Sequence, residues 1–381
     1  MLKNQHNQLK KIVFNFFVIF RCDFLPQCPL KCISNLRLFV YPIVLVFGQY
    51  CLLSNLLYGI DFSNLLDLAF NIVFYLGTYQ CLIVYYLMMI MYRKAFHEIF
   101  FYFDGLIDSV EFSSKVRKKH LEWNVEVALK WTTIFLSFVT IGGLIVNCYD
   151  LYETNFSSPM RFLIPGLSRS SIFFFPANII FQVTLYFAIL HVIMGSDAVI
   201  MITICYFRSE NQAVVEFIEQ LDESEIVQKN CNGIFRNIYE VHQTVTWNMK
   251  KLLEGYWHIY FYKLFTIILY LCTLLFIFQS VNISMMIVLL CALIVTAQIF
   301  ILCFFGQLLR NSSEAIAEAL YMTKWYEMGI EDQKNLLLLL LRFQKAVKIE
   351  AFGFGTISIY TFVQIIKAAA SYASIAYTIF K

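Results

Sequence analysis

Five polar side chains recur along an otherwise apolar stretch late in this 381-residue chain: Gln364, Lys367, Ser371, Ser374 and Thr378. Spacings of 3, 4, 3 and 4 place them on one helix face, in a stripe about 80° wide. A polar group left unsatisfied in lipid costs several kcal/mol, so the stripe must face water or protein. Two chemistries fit. In one, the stripe walls an ion path, and the flanking Ile375 and Ile379 form a hydrophobic gate that dewets when closed. In the other, the stripe hydrogen-bonds neighbouring helices, and Ala368, Ala369 and Ala370 let the backbones approach. Lys367 either repels cations beside such a path or pairs with a group in the inner half of the bundle, and the second is expected here. Asp197, just after Gly195-Ser196 in an earlier apolar run, is another intramembrane charge, with a structural pairing role expected.

Other chemistry is missing from the pattern. There is no phosphate loop, no HExxH and no GxSxG, so enzyme function is not expected. The eleven cysteines form no CxxC and no Cys/His cluster, so no metal or other cofactor is expected. They read as small buried apolar residues, and Cys148 is expected to face outward. His191 reads as a packing residue, and a net charge of +3 does not ask for nucleic acid.

The elements that must position these residues are membrane helices. The chain is 60% hydrophobic and 14% charged, with mean hydropathy +0.66. A soluble domain carries roughly 25% charged residues, so lipid must cover part of this surface. The 39 Phe and 23 Tyr suit an apolar, aromatic-lined cavity. Apolar runs of spanning length lie near 38–58, 65–91, 130–148, 172–204, 259–280, 284–306 and 355–380. Pro42 and Pro176 are read near helix starts, where a missing N–H costs little. The run 12–20 follows lysines like a signal peptide but ends without a cleavage site, and reads as an uncleaved amphipathic segment on the inner membrane surface.

Orientation follows from the cations. Segments 1–37, 93–130, 207–263 and 307–354 hold six, seven, six and six of the 29 Lys and Arg residues, against Arg161 and Arg169 in the opposite loops. The expected topology is a cytosolic N-terminus, seven crossings and an extracellular C-terminus. The sequons at Asn155 and Asn282 then fall in outer loops, with Asn155 the glycosylation candidate. Helical periodicity continues through the inner loops, at Val214, Val215, Ile218 and Leu221, at Ile234, Ile238, Val241, Val245, Met249 and Leu252, and at Ile316, Ala319, Leu320 and 336–341. The expected fold is an all-α membrane protein: one seven-helix transmembrane domain over 1–381. Within it, helices 1–6 and a ligand-binding bundle occupy 38–306, cytosolic anchor helices 307–354 and a pore-lining last helix 355–381.

The segment 303–381 resembles the insect odorant receptor family. The features that carry the resemblance, in order, are Phe305-Gly306, Ser313, Ala317-Glu318-Ala319, Tyr321, Trp325-Tyr326, Gln333-Lys334, a leucine run, Gln344-Lys345, Lys348, Thr356-Ile357-Ser358, Phe362, Lys367 and Ser371-Tyr372. Gln182 and Asp197 also stand where that family often has such residues, whereas Tyr360 and Ala370 depart from it. The rest of the chain resembles the family mainly by topology. The resemblance implies a tetrameric cation channel built from a variable odour-binding subunit and a shared co-receptor. The co-receptor is longer, with a large second inner loop, so this chain is similar to the tuning subunit. Localisation in the plasma membrane of a sensory-neuron dendrite is implied too. The stripe then belongs to the pore, and Trp325-Tyr326 is a subunit anchor or, alternatively, an aromatic cap between two cytosolic helices.

The family's pocket for small volatile odorants lies in the outer halves of helices two, three, four and six. The positions it implies here are Phe70, Phe74 and Tyr75; Ser137, Thr140, Ile141 and Leu144; Phe181 and Leu185; and Met285, Met286 and Leu289. Burying roughly 250 Å² of such a ligand gives about 6 kcal/mol gross, and association costs bring this to micromolar affinity. The rival readings are a gustatory receptor of the same superfamily, a G-protein-coupled receptor and a transporter. Tyr360-Thr361 and Val363-Gln364 do not reproduce the gustatory motif. The cation count opposes the orientation of a G-protein-coupled receptor, and no inverted repeat points to a transporter.

Overall fold

The structure, a computed structural model, describes residues 2–17, 31–58, 65–113, 115–153, 163–168, 170–222, 231–280, 285–351 and 353–380. The chain is helical almost throughout. The helices are α1 (Leu2–Phe17), α2 (Lys31–Tyr58), α3 (Leu65–Tyr86), α4 (Arg93–Ser113), α5 (Lys115–Glu153), α6 (Phe174–Glu219), α7 (Cys231–Ser280), α8 (Met285–Met322), α9 (Ile330–Phe343) and α10 (Ile359–Phe380). A π-turn, Leu87–Met91, ends α3, and a two-stranded hairpin, β1 (Glu350–Ala351) with β2 (Gly355–Thr356), leads into α10. Gly353 and Gly355 turn that hairpin at positive φ, 77° and 67°, where side chains are strained.

Among the described residues, five helical stretches are long and apolar enough to cross a membrane: Asn71–Met91, Lys115–Val146, Phe174–Asp222, Gly233–Phe278 and Val288–Met322. Pro42–Tyr58 is a shorter apolar stretch. The 22 residues of α10 rise about 33 Å, enough for a hydrocarbon core of about 30 Å. Apolar side chains stand exposed on the outer faces of α2, α5 and α8, among them Ile43, Val46, Ile134, Ile141, Leu293 and Phe300. Water would not tolerate that surface, and the protein is a membrane protein.

The spans run longer than apolar runs alone suggest. α6 has 46 residues and α7 has 50, so each carries its apolar half without a break into a charged half. α8 likewise passes straight through 306/307, where the sequence suggested a division. The charged halves pack on one another. Val214 and Ile218 of α6, Leu221 of the 3-10 turn that follows it, Phe235 and Ile238 of α7, Ile316 and Leu320 of α8, and Leu336, Leu339 and Phe343 of α9 close a second core, the anchor cluster. Gly306 allows α8 to meet the chain leading into α10, because a Cβ there would lie 2.9 Å from the Ile357 carbonyl oxygen.

Two local expectations change, those for Pro42 and Lys263. α2 starts at Lys31, so Pro42 lies inside the helix, where its ring removes one backbone bond and favours a kink; Pro176 is indeed in the first turn of α6. The N-terminal helix docks on protein. Leu2 and Leu9 are buried, His6 bonds Asp104 at 2.8 Å, Lys10 pairs with Asp104 at 2.6 Å and Lys3 with Asp108 at 3.2 Å, while Lys11 is exposed. In the run 12–20, read as lying on the inner membrane surface, the side chains from 13 onward lie outside the described residues. Lys263, counted above with the inner-loop cations, is fully buried inside the bundle.

Candidate functional site

The anchor cluster gathers the late part of α6, the early part of α7 and the late part of α8. Toward the other end of these helices, α3, α5, α6, α7 and α8 part around a cavity of about 140 Å³. Each helix gives it one face. From α3 come Val73, Phe74, Gly77 and Gln80; from α5, Phe135, Val139, Gly143 and Val146; from α6, Gln182, Tyr186, Ile189, Leu190 and Ile193. α7 adds Ile267, Tyr270 and Leu274, and α8 adds Cys291, Ile294, Val295 and Gln298. Spacings of three and four, with adjacent pairs at Val73-Phe74, Ile189-Leu190 and Ile294-Val295, keep every set on one side of its helix. Glycine helps make the space: a Cβ on Gly77 would meet no atom within 4 Å, whereas one on Gly143 would press on Leu190 and Tyr186.

The wall is apolar except for two tyrosines and three glutamines. Gln80, Gln182 and Gln298 are all buried. Gln298 donates to the Asp197 carboxylate at 2.8 Å. That carboxylate also pairs with Lys263, both groups being wholly buried, and Lys263 donates to Ser196 Oγ at 2.6 Å. One cavity-lining amide is thus joined to an ion pair linking α6 to α7. The pairing role expected of Asp197 is met by a residue not considered for it, Lys263.

Of the twelve pocket positions expected from sequence, Phe74 lines this cavity. Tyr75 is half-buried and its carbonyl accepts from Gln49. Ser137, Ile141 and Leu144 are exposed on the outer side of α5, while Thr140 donates to the Leu136 carbonyl at 2.7 Å. Phe181 packs edge-on against Phe47 at 5.0 Å, and Leu185 is buried beneath Gly48. Leu289 is 53% exposed. The side chains of Phe70, Met285 and Met286 lie outside the described residues. On α6 the miss is a rotation: Phe181 and Leu185 each precede a lining residue by one position, about 100° round the helix. Tyr270 and its α7 neighbours were not anticipated at all. For α3, α6 and α8 a signal was available in Gln80, Gln182 and Gln298, since a glutamine inside an apolar span must turn inward, but α7 gives the wall no such residue.

α10 lies against α7 and α8 with Thr361, Ile365, Ala369 and Ala373 buried. Phe362 meets Phe300 edge-on at 5.5 Å, and the Cys272 thiol approaches the Ala369 carbonyl at 3.8 Å. Of the three alanines expected to permit close approach, Ala369 does so, whereas Ala368 is half-buried and Ala370 is exposed. Gln364, Lys367, Ser371, Ser374 and Thr378 all stand exposed on the opposite side, and Ile375 with them. Ser374 donates to the Ala370 carbonyl at 3.0 Å and Thr378 to the Ile375 carbonyl at 2.7 Å, so these hydroxyls are satisfied within their own helix. Among the described residues, none of the five bonds another helix, and Lys367 has no ion-pair partner, contrary to the pairing expected for it. The Ile379 side chain lies outside the described residues, as does Asn155. Trp325 and Tyr326 form a 3-10 turn between α8 and α9 with both rings exposed, beside outward-facing Leu337, Leu338 and Leu341. Cys148 is exposed, and Cys51, Cys81, Cys205 and Cys303 are buried.

The comparisons with known proteins agree with this architecture. Two solved structures of the insect olfactory receptor OR5 from Machilis hrabei share the fold. The one in complex with eugenol has a TM-score of 0.78 at 13% identity, covering 98% of this chain and 99% of that one. The other has a TM-score of 0.77 at 13% identity, with 97% and 98% covered. Odorant receptor 2a of Drosophila melanogaster is 34% identical over 73 residues, and Odorant receptor 85f of the same species is 29% identical over 72 residues. The matched stretch spans 19% of this chain and 18% of either relative. The family model described as 7tm Odorant receptor matches residues 64–370, most of the chain, and the chain belongs to that odorant receptor family.

Proposed function

We propose that this chain is the odour-binding, tuning subunit of a ligand-gated cation channel, opened by a small volatile molecule seated in the cavity between α3 and α8. The observation that carries the reading is the cavity itself: about 140 Å³, apolar-walled, bounded by five helices of the bundle. Apolar walls with a few placed polar groups suit a small ligand recognised by shape rather than charge. In this reading the Lys- and Arg-rich loops and the anchor cluster are cytosolic, with the N-terminus inside and the C-terminus outside. The cavity then lies in the outer half of the membrane.

α10 supplies the ion path. Its polar stripe is turned away from its own bundle, which favours a wall shared with other subunits over hydrogen bonding within the chain. Ile375 and Ile379 form the gate. Trp325, Tyr326 and the outward leucines of α9 meet neighbouring subunits, a co-receptor among them, in a heterotetramer. Asn155 carries the glycan candidate, and the assembly sits in the plasma membrane of a sensory dendrite. The test is co-expression with an insect co-receptor in oocytes, recording cation current across an odorant panel. Odour responses that appear only with this chain are expected. Currents identical with and without it would refute the tuning role.

A further inference from the structure

Gln80 is the least explained group in the cavity. Its side chain is 5% exposed, it lines the cavity wall, and its amide nitrogen is buried without a hydrogen-bond partner. Burying a donor unpaired is costly, and native proteins pair nearly all such groups. The surroundings are mostly hydrocarbon, Val73, Phe74 and Phe135 among them, and the Gln298 amide is already engaged with Asp197. Gln182 Oε1, also on the wall and buried without a hydrogen bond, does not reach the Gln80 amide. The size of the space narrows the occupant further. Apolar cavities of about 150 Å³ accept a single six-membered ring. This one, about 140 Å³, is of that class.

We infer that the cavity selects compact ligands, of about one ring, that carry a hydrogen-bond-accepting oxygen and no charge, and that the Gln80 amide N–H donates to that oxygen. The inference rests on the odorant-site reading above. A ketone or aldehyde fits: its ring or chain covers the apolar wall and its carbonyl accepts from the Gln80 amide. A pure hydrocarbon of the same shape leaves the donor unpaired. An amine or carboxylate would bring a charge with no counter-charge, because Asp197 is already neutralised by Lys263.

The experiment compares two isosteric probes, cyclohexanone and methylenecyclohexane, on the full chain co-expressed with co-receptor in oocytes. Wild type is expected to respond to the ketone at about tenfold lower half-maximal concentration, the size of one net buried hydrogen bond. Gln80→Met keeps the shape and removes the donor. It is expected to bring the two probes within about twofold, by weakening the ketone response and sparing the hydrocarbon. Gly77→Leu fills the cavity and is expected to silence both while reaching the cell surface. Equal wild-type responses to the two probes would overturn the Gln80 assignment whatever the variants do. So would a tenfold preference that survives Gln80→Met. Silence of wild type to both rings, alongside currents to larger odorants, would overturn the size class. If surface-expressed Gly77→Leu instead answers both probes like wild type, the cavity is not the odorant site and the earlier reading falls with this one.

Discussion

Replacing Asp197 by Asn would strand the Lys263 ammonium, wholly buried between α6 and α7, beside a neutral amide. Removing one partner of a buried pair costs roughly 3–5 kcal/mol, because the remaining charge stays desolvated. The remaining contacts of Lys263 do not offset this: Ser196 Oγ at 2.6 Å accepts one hydrogen bond but carries no charge. The introduced amide would also set its own N–H groups against those of Gln298 and Lys263, where one carboxylate now accepts from both partners. A loss of this size lowers the apparent melting temperature of the detergent-solubilised protein by roughly 5–15 °C, read by fluorescence-detected size-exclusion after heating. Lys263→Met should do comparable damage by leaving a carboxylate held by Gln298 alone. The double variant Asp197→Leu with Lys263→Met removes both charges together and should recover to within about 1–2 kcal/mol of wild type, since apolar replacement of a whole buried pair is often neutral. Asp197→Asn as stable as wild type would refute the buried-pair argument, and so would a double variant no better than the singles.

Ile375→Ala, on the exposed face of α10, should raise resting current or alter ion selectivity, and Ile379→Ala likewise; unchanged currents in both would remove the gate from that helix. Phe74→Ala enlarges the cavity and should shift the odour profile without loss of surface expression, whereas Leu289→Ala, 53% exposed on the outside of α8, should leave the profile as it is. The anchor should weaken in acid. Burial, with a smaller contribution from Arg342, holds the His242 imidazole down from 6.5 to about 4 in the charged half of α7, well before the apolar run 259–280. The unfolded chain takes up that proton below pH 6.5 and the folded chain does not until about pH 4, so stability is flat above pH 6.5 and falls between the two values. The loss is about 2 kcal/mol by pH 5. Thermal stability of purified protein at pH 7 and pH 5 checks this, and a pH slope unaltered in His242→Leu would refute it.

Seven spans, the inner-loop helices and the polar stripe of α10 were legible in the sequence because each depends on a local period. Val214, Ile218 and Leu221 announce their shared face by spacing alone, and they meet Phe235 and Ile316 in one core. The cavity was much less legible. Its existence depends on how five helices rotate relative to one another, and a shift of one residue turns a side chain by about 100°. Hydropathy gives little guidance where both lipid and protein are apolar: Leu289 faces out and Leu190 faces in with the same side chain. Polar residues break that degeneracy. Gln80, Gln182 and Gln298 could not face lipid, and together they mark the inward faces of α3, α6 and α8. The Asp197 partner was missed for a related reason. Lys263 lies at the edge of an apolar run and counts as a loop cation until the third dimension places it opposite a carboxylate.

A single copy leaves two surfaces that neither lipid nor water suits. On α10, a charge and four polar groups face outward from a helix long enough to span a membrane, and an unpaired Lys367 in hydrocarbon would cost several kcal/mol. On the anchor, Trp325, Tyr326, Leu337, Leu338 and Leu341 are exposed where the helices are charged and water is the solvent. These two mismatches have opposite sign, polar where lipid would be and apolar where water would be. The assembly proposed above would relieve both, with copies related by an axis parallel to α10, the polar stripes lining a wet centre and the anchor aromatics packed between neighbours. Variants on either surface should therefore act on assembly and conduction while sparing the fold of one chain. Trp325→Ala with Tyr326→Ala should leave monomeric protein of normal thermal stability while cutting the tetramer fraction on size exclusion. A tetramer fraction equal to wild type would place the subunit contacts elsewhere.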